Sequence, residues 1–237
     1  MPIAISVCGF GYAVMMATPA DLDDFAWGFA RCERLIDRAG QVESVVIRHE
    51  ARGVLLDIWL TDECRERVVE RVRHRVGESS CGLCGVENLD QALRPLPPVA
   101  APSGIPPAAI FAALAGLDAH QPLNAATGAV HAAAFANRHG AILAAREDVG
   151  RHNAFDKLIG HGLRQGVDAG EGFALLTSRC SFELVEKAAL AGVRLLVTIS
   201  APTALAIERA QACGLTLIAL ARGDEMLIAA DPHGIFG

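Results

Sequence analysis

The chain has 237 residues, of which 52% are hydrophobic, 5% aromatic and 20% charged. This length allows one large domain or two small ones with a buried core, and the formal net charge of −6 argues against a nucleic-acid-binding surface. No apolar run is long enough to span a bilayer, and Met1-Pro2 is followed by no basic region with a cleavage site, so we expect a soluble, cytoplasmic protein.

Two of the seven cysteines form the motif Cys81-Gly-Leu-Cys84-Gly85. The odd number of cysteines and their irregular spacing indicate a reducing compartment. Residues 86–93 can form a short helix, which would place Cys84 just before a helix N-terminus, where the thiolate is favoured. On chemistry alone, the motif is compatible with thiol redox, half of a zinc site or a sulfur carrier. The other cysteines and the histidines are too scattered to complete a zinc site, so we predict no bound metal.

The first 78 residues predict an N-terminal α/β domain. Apolar alternation predicts strands at 3–7, 12–16, 42–48 and 53–60, the first two joined as a hairpin through Cys8-Gly-Phe-Gly11. Thr18 is the predicted N-cap of a helix that runs to about Ile36, and Thr61 or Asp62 can cap a second helix that runs to about His74.

The composition changes abruptly after the Cys-x-x-Cys motif. Six of the eleven prolines fall within 94–107, which is typical of a semi-rigid linker. We therefore predict three parts: an N-terminal domain at 1–78, the motif loop with the linker at 79–107, and a second domain at 108–237. The reactive loop would then lie between the two domains, where ligands often bind.

The second domain alternates between helical and extended patterns. The first elements predicted are a strand at 141–145, a loop at 123–128, and helices at 107–117, 129–137 and 154–163. A β-α-β-α-β alternation follows, with strands at 173–177, 193–199 and 215–220, helices at 181–191 and 203–213, and a last strand at 226–230. This alternation predicts a mainly parallel sheet with right-handed crossovers.

Polar residues follow several of these strands, at the edge where ligands bind in open α/β sheets. Taken singly, each loop is explained by helix capping, with Ser181 and Thr203 as caps. Four such loops at one edge favour a nucleotide-like anionic ligand, because helix N-termini and arginines bind phosphate. The absence of GxGxxG and GxxxxGK sequences excludes a standard dinucleotide site or P-loop. The candidate binding residues are Asp148, Ser178, Arg179, Ser200, Arg222, Gly223 and Asp224, of which Asp148 or Asp224 can accept hydrogen bonds from a purine or pterin ring.

The densest polar cluster of the chain is 146–157, at a predicted strand-to-helix junction. A helix start needs one capping residue, whereas Arg151, His152 and Asn153 follow Asp148 within six positions. We expect a site role for these residues. General acid–base work by His152 and ligand binding both remain open.

Several motifs together resemble the FdhD family, the sulfurtransferases required for formate dehydrogenase. The resemblance covers nearly the whole chain and departs at Arg31-Cys-Glu33, where the family usually has a Ser-Glu-Gly-type turn. The matching motifs are at 14–21, 81–85, 127–133, 146–160, 181–189 and 222–224.

The resemblance implies a sulfur carrier. A cysteine desulfurase would load a persulfide on Cys81, with Cys84 assisting. The sulfur would then pass to the molybdenum of a bis-guanine-dinucleotide cofactor before that cofactor enters apo formate dehydrogenase. The resemblance further implies a cytidine-deaminase-like second domain, and we expect a homodimer. The stretch that matches the family's cofactor-binding segment is Leu220, Ala221, Arg222, Gly223, Asp224 and Glu225.

Three other functions compete with this one. A zinc hydrolase acting on a base needs H-x-E and P-C-x-x-C motifs, but His131 is followed by two alanines and Cys180 stands alone. In a thiol–disulfide oxidoreductase, the Cys-x-x-Cys motif starts a helix after the first strand of a thioredoxin-like unit, unlike this glycine loop. The alternative that stays open is a cofactor-binding chaperone with a thiol–disulfide redox role and no sulfur transfer.

Overall fold

Two β-sheets, each with its own hydrophobic core, meet through a close crossing of two helices. The structure is a computed structural model, and it describes residues 1–75 and 94–236. The predicted reactive pair, Cys81 and Cys84, lies outside the described residues.

The first sheet is formed by four strands: β1 (Pro2–Val7), β2 (Phe10–Met16), β3 (Val42–Glu50) and β4 (Gly53–Leu60). Their order is β2-β1-β4-β3, with β1 parallel to β4 and the other two pairings antiparallel. The predicted hairpin is confirmed. Cys8 and Gly9, between β1 and β2, both have positive φ, at 50° and 82°, as a two-residue type I′ turn requires.

Two helices accompany this sheet, α1 (Leu22–Cys32) and α2 (Arg65–Arg75). The predicted N-cap Thr18 and the predicted end of α1 near Ile36 are both wrong. The helix begins after Asp21, which has a left-handed φ of 53°, and it ends shortly before Arg34, whose φ is 61°. Such values cannot continue a right-handed helix, so these two residues set its limits.

The second sheet has six strands: β5 (His131–Asn137), β6 (Ile142–Asp148), β7 (Gly172–Leu176), β8 (Leu195–Thr198), β9 (Thr216–Arg222) and β10 (Glu225–Ala230). Their order is β10-β9-β8-β7-β5-β6. The pairs β7–β8 and β8–β9 are parallel, whereas β5–β6, β5–β7 and β9–β10 are antiparallel. The prediction of a mainly parallel sheet is therefore wrong, because hairpins at both ends of the sheet reverse the chain direction.

The segment 129–137, predicted to be helical, contains the strand β5. Residues 132–136 of this strand are all buried, with Ala133 and Phe135 in the core on one face and Ala134 and Ala136 in the core on the other. Alanine favours a helix in isolation. Burial on both faces of a central strand overrides that preference.

Five helices flank the second sheet: α3 (Pro107–Gly116), α4 (Pro122–Thr127), α5 (Arg151–Gln165), α6 (Phe182–Leu190) and α7 (Ala204–Cys213). α3 packs on one face and α5, α6 and α7 on the other, so the sheet has a core on each side. α4 occupies the segment predicted as a loop, and the missed signals are Pro122 at its start and Gly128, with φ of 62°, at its end. The described residues thus form a mixed α/β structure with two sheets and seven helices, none of which has the length and apolarity to cross a membrane.

α1 and α5 cross in opposite directions at two glycines. A Cβ atom on Gly28 would lie 1.7 Å from the carbonyl oxygen of Asp156, and one on Gly160 would lie 1.8 Å from the carbonyl oxygen of Asp24. The two backbones are therefore in contact, which requires that neither position carries a side chain. This crossing joins the first sheet to the second.

Charged side chains flank the crossing in pairs. Asp24, which is 3% exposed, accepts hydrogen bonds from Arg146 Nε at 2.7 Å and from Arg164 Nη1 at 2.5 Å. Further along α5, Asp156 Oδ1 lies 2.5 Å from Lys187 Nζ of α6. Pairing of this kind is what permits charges to be buried between helices.

We predict that Gly160→Ala destabilises the protein by roughly 3 kcal/mol or more, because the new methyl group overlaps the α1 backbone. Intrinsic helix propensity acts in the other direction, by about 1 kcal/mol in favour of alanine. The matched control is Gly116→Ala at the end of α3, where an added Cβ meets no atom within 4 Å. Denaturant unfolding measures both variants, and equal stability of the two would contradict the crossing.

Candidate functional site

A cleft of about 550 Å³ opens at one edge of the second sheet. One wall is formed by α3, the 3₁₀ turn Leu117–His120 and α4, and the other by the ends of four strands of the sheet. Apolar side chains alternate with a few polar groups, as is usual for small-molecule sites. The residues that line the cleft include Phe111, Asp118, Gln121, Asn124, His131 and Arg222.

The strand pairing brings the predicted loops to this same edge. β7, β8 and β9 are parallel, so their carboxyl ends coincide. β5 runs against β7, which puts His131 at its start beside those ends, and His131 pairs with Asp148 at the end of β6. The edge therefore collects residues from five strands, as the alternation of elements led us to expect.

The segment 220–225 contributes to the cleft with three of its six residues. Ala221, Arg222 and Gly223 line it. Arg222 is exposed, and its Nε donates a hydrogen bond to the carbonyl oxygen of Ile199 at 3.0 Å. Leu220 lies next to the lining residues, is 41% exposed and has a φ of 51°. The last two residues, Asp224 and Glu225, are exposed at the turn into β10.

The other predicted edge residues have different surroundings. Ser178 is 3% exposed, and its hydroxyl donates to the carbonyl oxygen of Arg179 at 3.0 Å. Ser200 accepts a hydrogen bond from the Leu220 amide through its carbonyl oxygen, at 3.3 Å. Both serines thus brace the loops at the edge, while Arg179 is exposed there.

Asp148 is fully buried and forms an ion pair with Lys157, whose Nζ lies 2.6 Å from Asp148 Oδ2. The same carboxylate accepts hydrogen bonds from the Thr18 amide at 2.9 Å, the Gly150 amide at 2.8 Å and Asn153 Nδ2 at 3.1 Å. Lys157 Nζ also donates to the carbonyl oxygen of Thr18 at 2.9 Å. The pair therefore ties the loop before α1 to the β6–α5 junction, and its oxygens are occupied within the protein.

Two residues that the sequence analysis did not select organise this edge. Lys157 is the partner of Asp148, and its signal was a charged side chain among the apolar residues of α5 that face the core. Glu147 accepts hydrogen bonds from the Leu123 and Asn124 amides at 2.9 and 2.7 Å. Its carboxylate thus satisfies free amides at the start of α4 and holds that wall of the cleft.

The comparison with known proteins agrees with the motifs. The sequence model of the FdhD/NarQ family matches residues 1–236. The chain belongs to the FdhD/NarQ family. Two relatives, both named sulfur carrier protein FdhD, come from Bordetella bronchiseptica and Xanthomonas euvesicatoria pv. vesicatoria. The first is 42% identical over 99% of this chain and 85% of its own length, and the second is 45% identical over 98% and 83%.

The fold is also found in a solved structure. The crystal structure of a chain assigned as a formate dehydrogenase accessory protein from Desulfotalea psychrophila superimposes with a TM-score of 0.76. The match covers 98% of this chain and 87% of the other, at 23% identity. The likeness shows that the two chains share a fold.

In this FdhD/NarQ chain, His152 lies beside the edge in a half-buried position. Burial lowers the pKa of His152 from an ordinary value of 6.5 to about 4, and the positive charges of Lys187 and Arg151 add to this effect. The ring is therefore neutral at pH 7, with Nε2 lying 3.4 Å from the Ser181 hydroxyl. A neutral imidazole can accept or donate a hydrogen bond without adding charge.

Three arginines, Arg151, Arg179 and Arg222, lie along the edge. Burial lowers the pKa of His131, and the nearby guanidinium groups of Arg151 and Arg179 lower it further. Arg151 Nε is buried without a hydrogen-bond partner in the described part of the chain. Together with Arg222 in the cleft, these side chains favour binding of an anion.

We predict that Asp148→Asn destabilises the protein by roughly 3–5 kcal/mol, because Lys157 is then a buried charge without a counter-ion. Adding Lys157→Met to that variant should restore part of the loss. The control is Asp224→Asn at the exposed turn, which should change stability by less than about 0.5 kcal/mol. Denaturant unfolding at pH 7 measures all three, and a double variant less stable than Asp148→Asn would contradict the ion pair.

We predict that His152 makes the protein less stable in acid. The folded pKa is depressed, so the free energy of unfolding falls as the pH drops from 6.5 to about 4. At the acid end of this range, His152 lowers the free energy of unfolding by at most about 3 kcal/mol. His152→Gln should flatten this part of the pH profile. Parallel profiles for wild type and His152→Gln would rule out this assignment.

Proposed function

We propose that this chain is a sulfur carrier that serves the maturation of formate dehydrogenase. The observation that carries the proposal is the match over nearly the whole chain to relatives named sulfur carrier proteins. The Cys81-x-x-Cys84 motif supplies the chemical group that a sulfur carrier needs. A cleft at the carboxyl edge of the second sheet, with Arg222 in its lining, supplies a place for an anionic cargo.

Loading begins with a persulfide on a cysteine desulfurase. The Cys81 thiolate attacks the terminal sulfur of that persulfide, the sulfur–sulfur bond of the donor breaks, and the donor cysteine leaves as a thiolate. The new sulfur–sulfur bond is on Cys81, and no net oxidation or reduction occurs. The product is a Cys81 persulfide.

Delivery of the sulfur as sulfide consumes two electrons, which the second thiol of the motif provides. The Cys84 thiolate attacks the Cys81 sulfur, and the terminal sulfur leaves as HS⁻ towards the acceptor metal. The two cysteines are oxidised to a disulfide in the same step, so electrons balance. An external thiol reductant then restores the dithiol for the next cycle.

The acceptor in this proposal is the molybdenum of a bis-guanine-dinucleotide cofactor, bound as cargo. The cleft of about 550 Å³ is within the range of small-molecule sites, roughly 300–1,000 Å³. Arg222 lines it, and Arg151 and Arg179 add positive charge near His131, which suits phosphate groups. Asp148 and Asn153 act here as positioning residues, because their polar atoms hold the β6–α5 junction.

The partners in this proposal are a cysteine desulfurase as donor and apo formate dehydrogenase as the final acceptor of the loaded cofactor. The chain from Desulfotalea psychrophila that shares this fold is assigned as a formate dehydrogenase accessory protein, which is consistent with that partner. The homodimer, the cytoplasmic location and the cytidine-deaminase-like description of the second half belong to the same proposal.

The test is mass spectrometry of the intact protein after incubation with a cysteine desulfurase and cysteine. Wild type should gain one reducible sulfur atom, and Cys81→Ala should gain none. Cys84→Ala should be loaded and keep the adduct, since it lacks the thiol that releases sulfide.

Two buried cysteines provide the controls. Burial raises the pKa of Cys180 to about 12 and also raises that of Cys213, so both thiols are unreactive at pH 7. Cys180→Ala and Cys213→Ala should therefore load as wild type does. If wild type gains no sulfur, the chain is a chaperone with a thiol redox role and not a carrier. If Cys81→Ala keeps the adduct, the sulfur resides on another residue.

A further inference from the structure

The two walls of the cleft carry opposite charges. The helical wall presents Asp118, in the 3₁₀ turn between α3 and α4. The sheet wall presents Arg222, at the end of β9. Asp118 is the one carboxylate among the described residues that line this cleft. A ligand that fits between the walls therefore combines an anionic group with a group that donates hydrogen bonds.

Asp118 is held in place by its neighbours. Gln121, which is 5% exposed, donates a side-chain hydrogen bond to Asp118 Oδ1 at 3.3 Å, and its amide donates to the Asp118 carbonyl oxygen at 3.2 Å. Gln121 directly precedes α4, whose first amides are bound by Glu147. Within the described ranges, no group donates to Asp118 Oδ2, so that oxygen is available to a ligand.

Arg222 also keeps free donors. Its Nε is bound to the Ile199 carbonyl oxygen, and its two Nη groups have no partner in 1–75 or 94–236. The guanidinium is thus fixed through one nitrogen while its other donors can bind phosphate oxygens. The helical wall also contains Phe111, Leu114 and Leu117, which supply an apolar surface that suits a flat aromatic ring.

The chemistry of a carboxylate selects one kind of base. An ionised carboxylate accepts hydrogen bonds and donates none. Guanine presents two adjacent donors, N1–H and the 2-amino group, which match Oδ2 of Asp118 and the second lone pair of its Oδ1, the oxygen that also accepts from Gln121. Adenine presents an acceptor at N1, so it would set a lone pair against the carboxylate. A carboxylate in this position therefore favours guanine over adenine.

We propose that Asp118 is the residue that selects a guanine base in this cleft, with Arg222 binding the phosphates of the same nucleotide. This inference rests on the proposed function, in which the cargo carries guanine nucleotides, and it names the residue that recognises the base. It replaces the sequence-based choice of Asp148 or Asp224. The Asp148 carboxylate is occupied by internal hydrogen bonds, and Asp224 is not among the lining residues.

The test is calorimetric titration of the full-length protein with three nucleoside diphosphates at one fixed ionic strength. Wild type should bind guanosine diphosphate at least about tenfold more tightly than adenosine diphosphate, since charge-assisted hydrogen bonds are lost with adenine. Asp118→Asn should weaken the binding of guanosine diphosphate by a similar factor and leave the binding of adenosine diphosphate nearly unchanged.

A variant that gains binding of another nucleotide shows that Asp118 recognises the base, because general damage to the site would only reduce binding. The asparagine amide accepts from N1–H and donates to a 2-oxo group, so Asp118→Asn should bind xanthosine diphosphate at least about tenfold more tightly than wild type does. Asp118→Ala should bind guanosine diphosphate more weakly than wild type does, without a gain in the binding of xanthosine diphosphate. Glu208→Gln, at an exposed position of α7 outside the cleft lining, is the matched control and should keep the wild-type preference for guanine. Arg222→Ala should weaken the binding of all three nucleotides, and the effect should be larger at low salt.

The outcomes distinguish this inference from the function on which it rests. If wild type binds guanosine diphosphate, Arg222→Ala weakens it and Asp118→Asn keeps the guanine preference, Asp118 does not recognise the base, while the cleft remains the nucleotide site. Equal binding of guanosine and adenosine diphosphates by wild type overturns the inference in the same way. If wild type binds no guanosine diphosphate, or Arg222→Ala binds it as wild type does, the placement of the cargo in this cleft is wrong, and the inference fails with it.

Discussion

The contact between the backbones of α1 and α5 at Gly28 and Gly160 is the constraint on which the rest of the structure depends. α1 packs its apolar residues, Phe25 and Phe29 among them, on the first sheet, and its glycine face lies on α5. α5 packs its own apolar residues on the second sheet. Since both helices are held on two sides, the loop before α1 is carried to the carboxyl edge of the second sheet, where Thr18 meets Asp148 and Lys157.

Two consecutive residues of α5 pair in two directions. Asp156 pairs with Lys187 of α6, and Lys157 pairs with Asp148 at the end of β6. Buried ion pairs of this kind add little net stability compared with apolar residues of the same size, but breaking one is costly. They therefore penalise any other rotation of α5 about its axis. The rotation that they favour places the start of this helix, with Arg151 and His152, at the edge of the cleft.

Much of the fold could be predicted from the sequence, because the alternation from 173 to 220 has caps, periodic apolar residues and short connections. The sequence also indicated that the loops after these strands share one edge, which follows from the parallel pairing. The sequence-based prediction was wrong at β5. The helix propensity of alanine predicted a helix there, but burial on both faces of the sheet stabilises a strand. The sequence did not indicate that Asp148 pairs with Lys157, because no sequence pattern shows that these two side chains lie against each other. The sequence did not place Asp118, the residue proposed to recognise the base, in the cleft. The wall that contains it depends on Glu147, which is distant in sequence and holds α4 through backbone amides.

The sharing of α1 between two cores affects the order in which the chain can fold during synthesis. Arg146 and Arg164, which bind Asp24, lie 122 and 140 residues after it. At a synthesis rate of about 5–20 residues per second, Asp24 is synthesised roughly 6–28 s before these partners are. For that time α1 has an uncovered glycine face and an unpaired aspartate, so the emerging N-terminal half cannot reach its final packing. It becomes a folded unit when α5 has been translated, and until then it is open to chaperones and proteases.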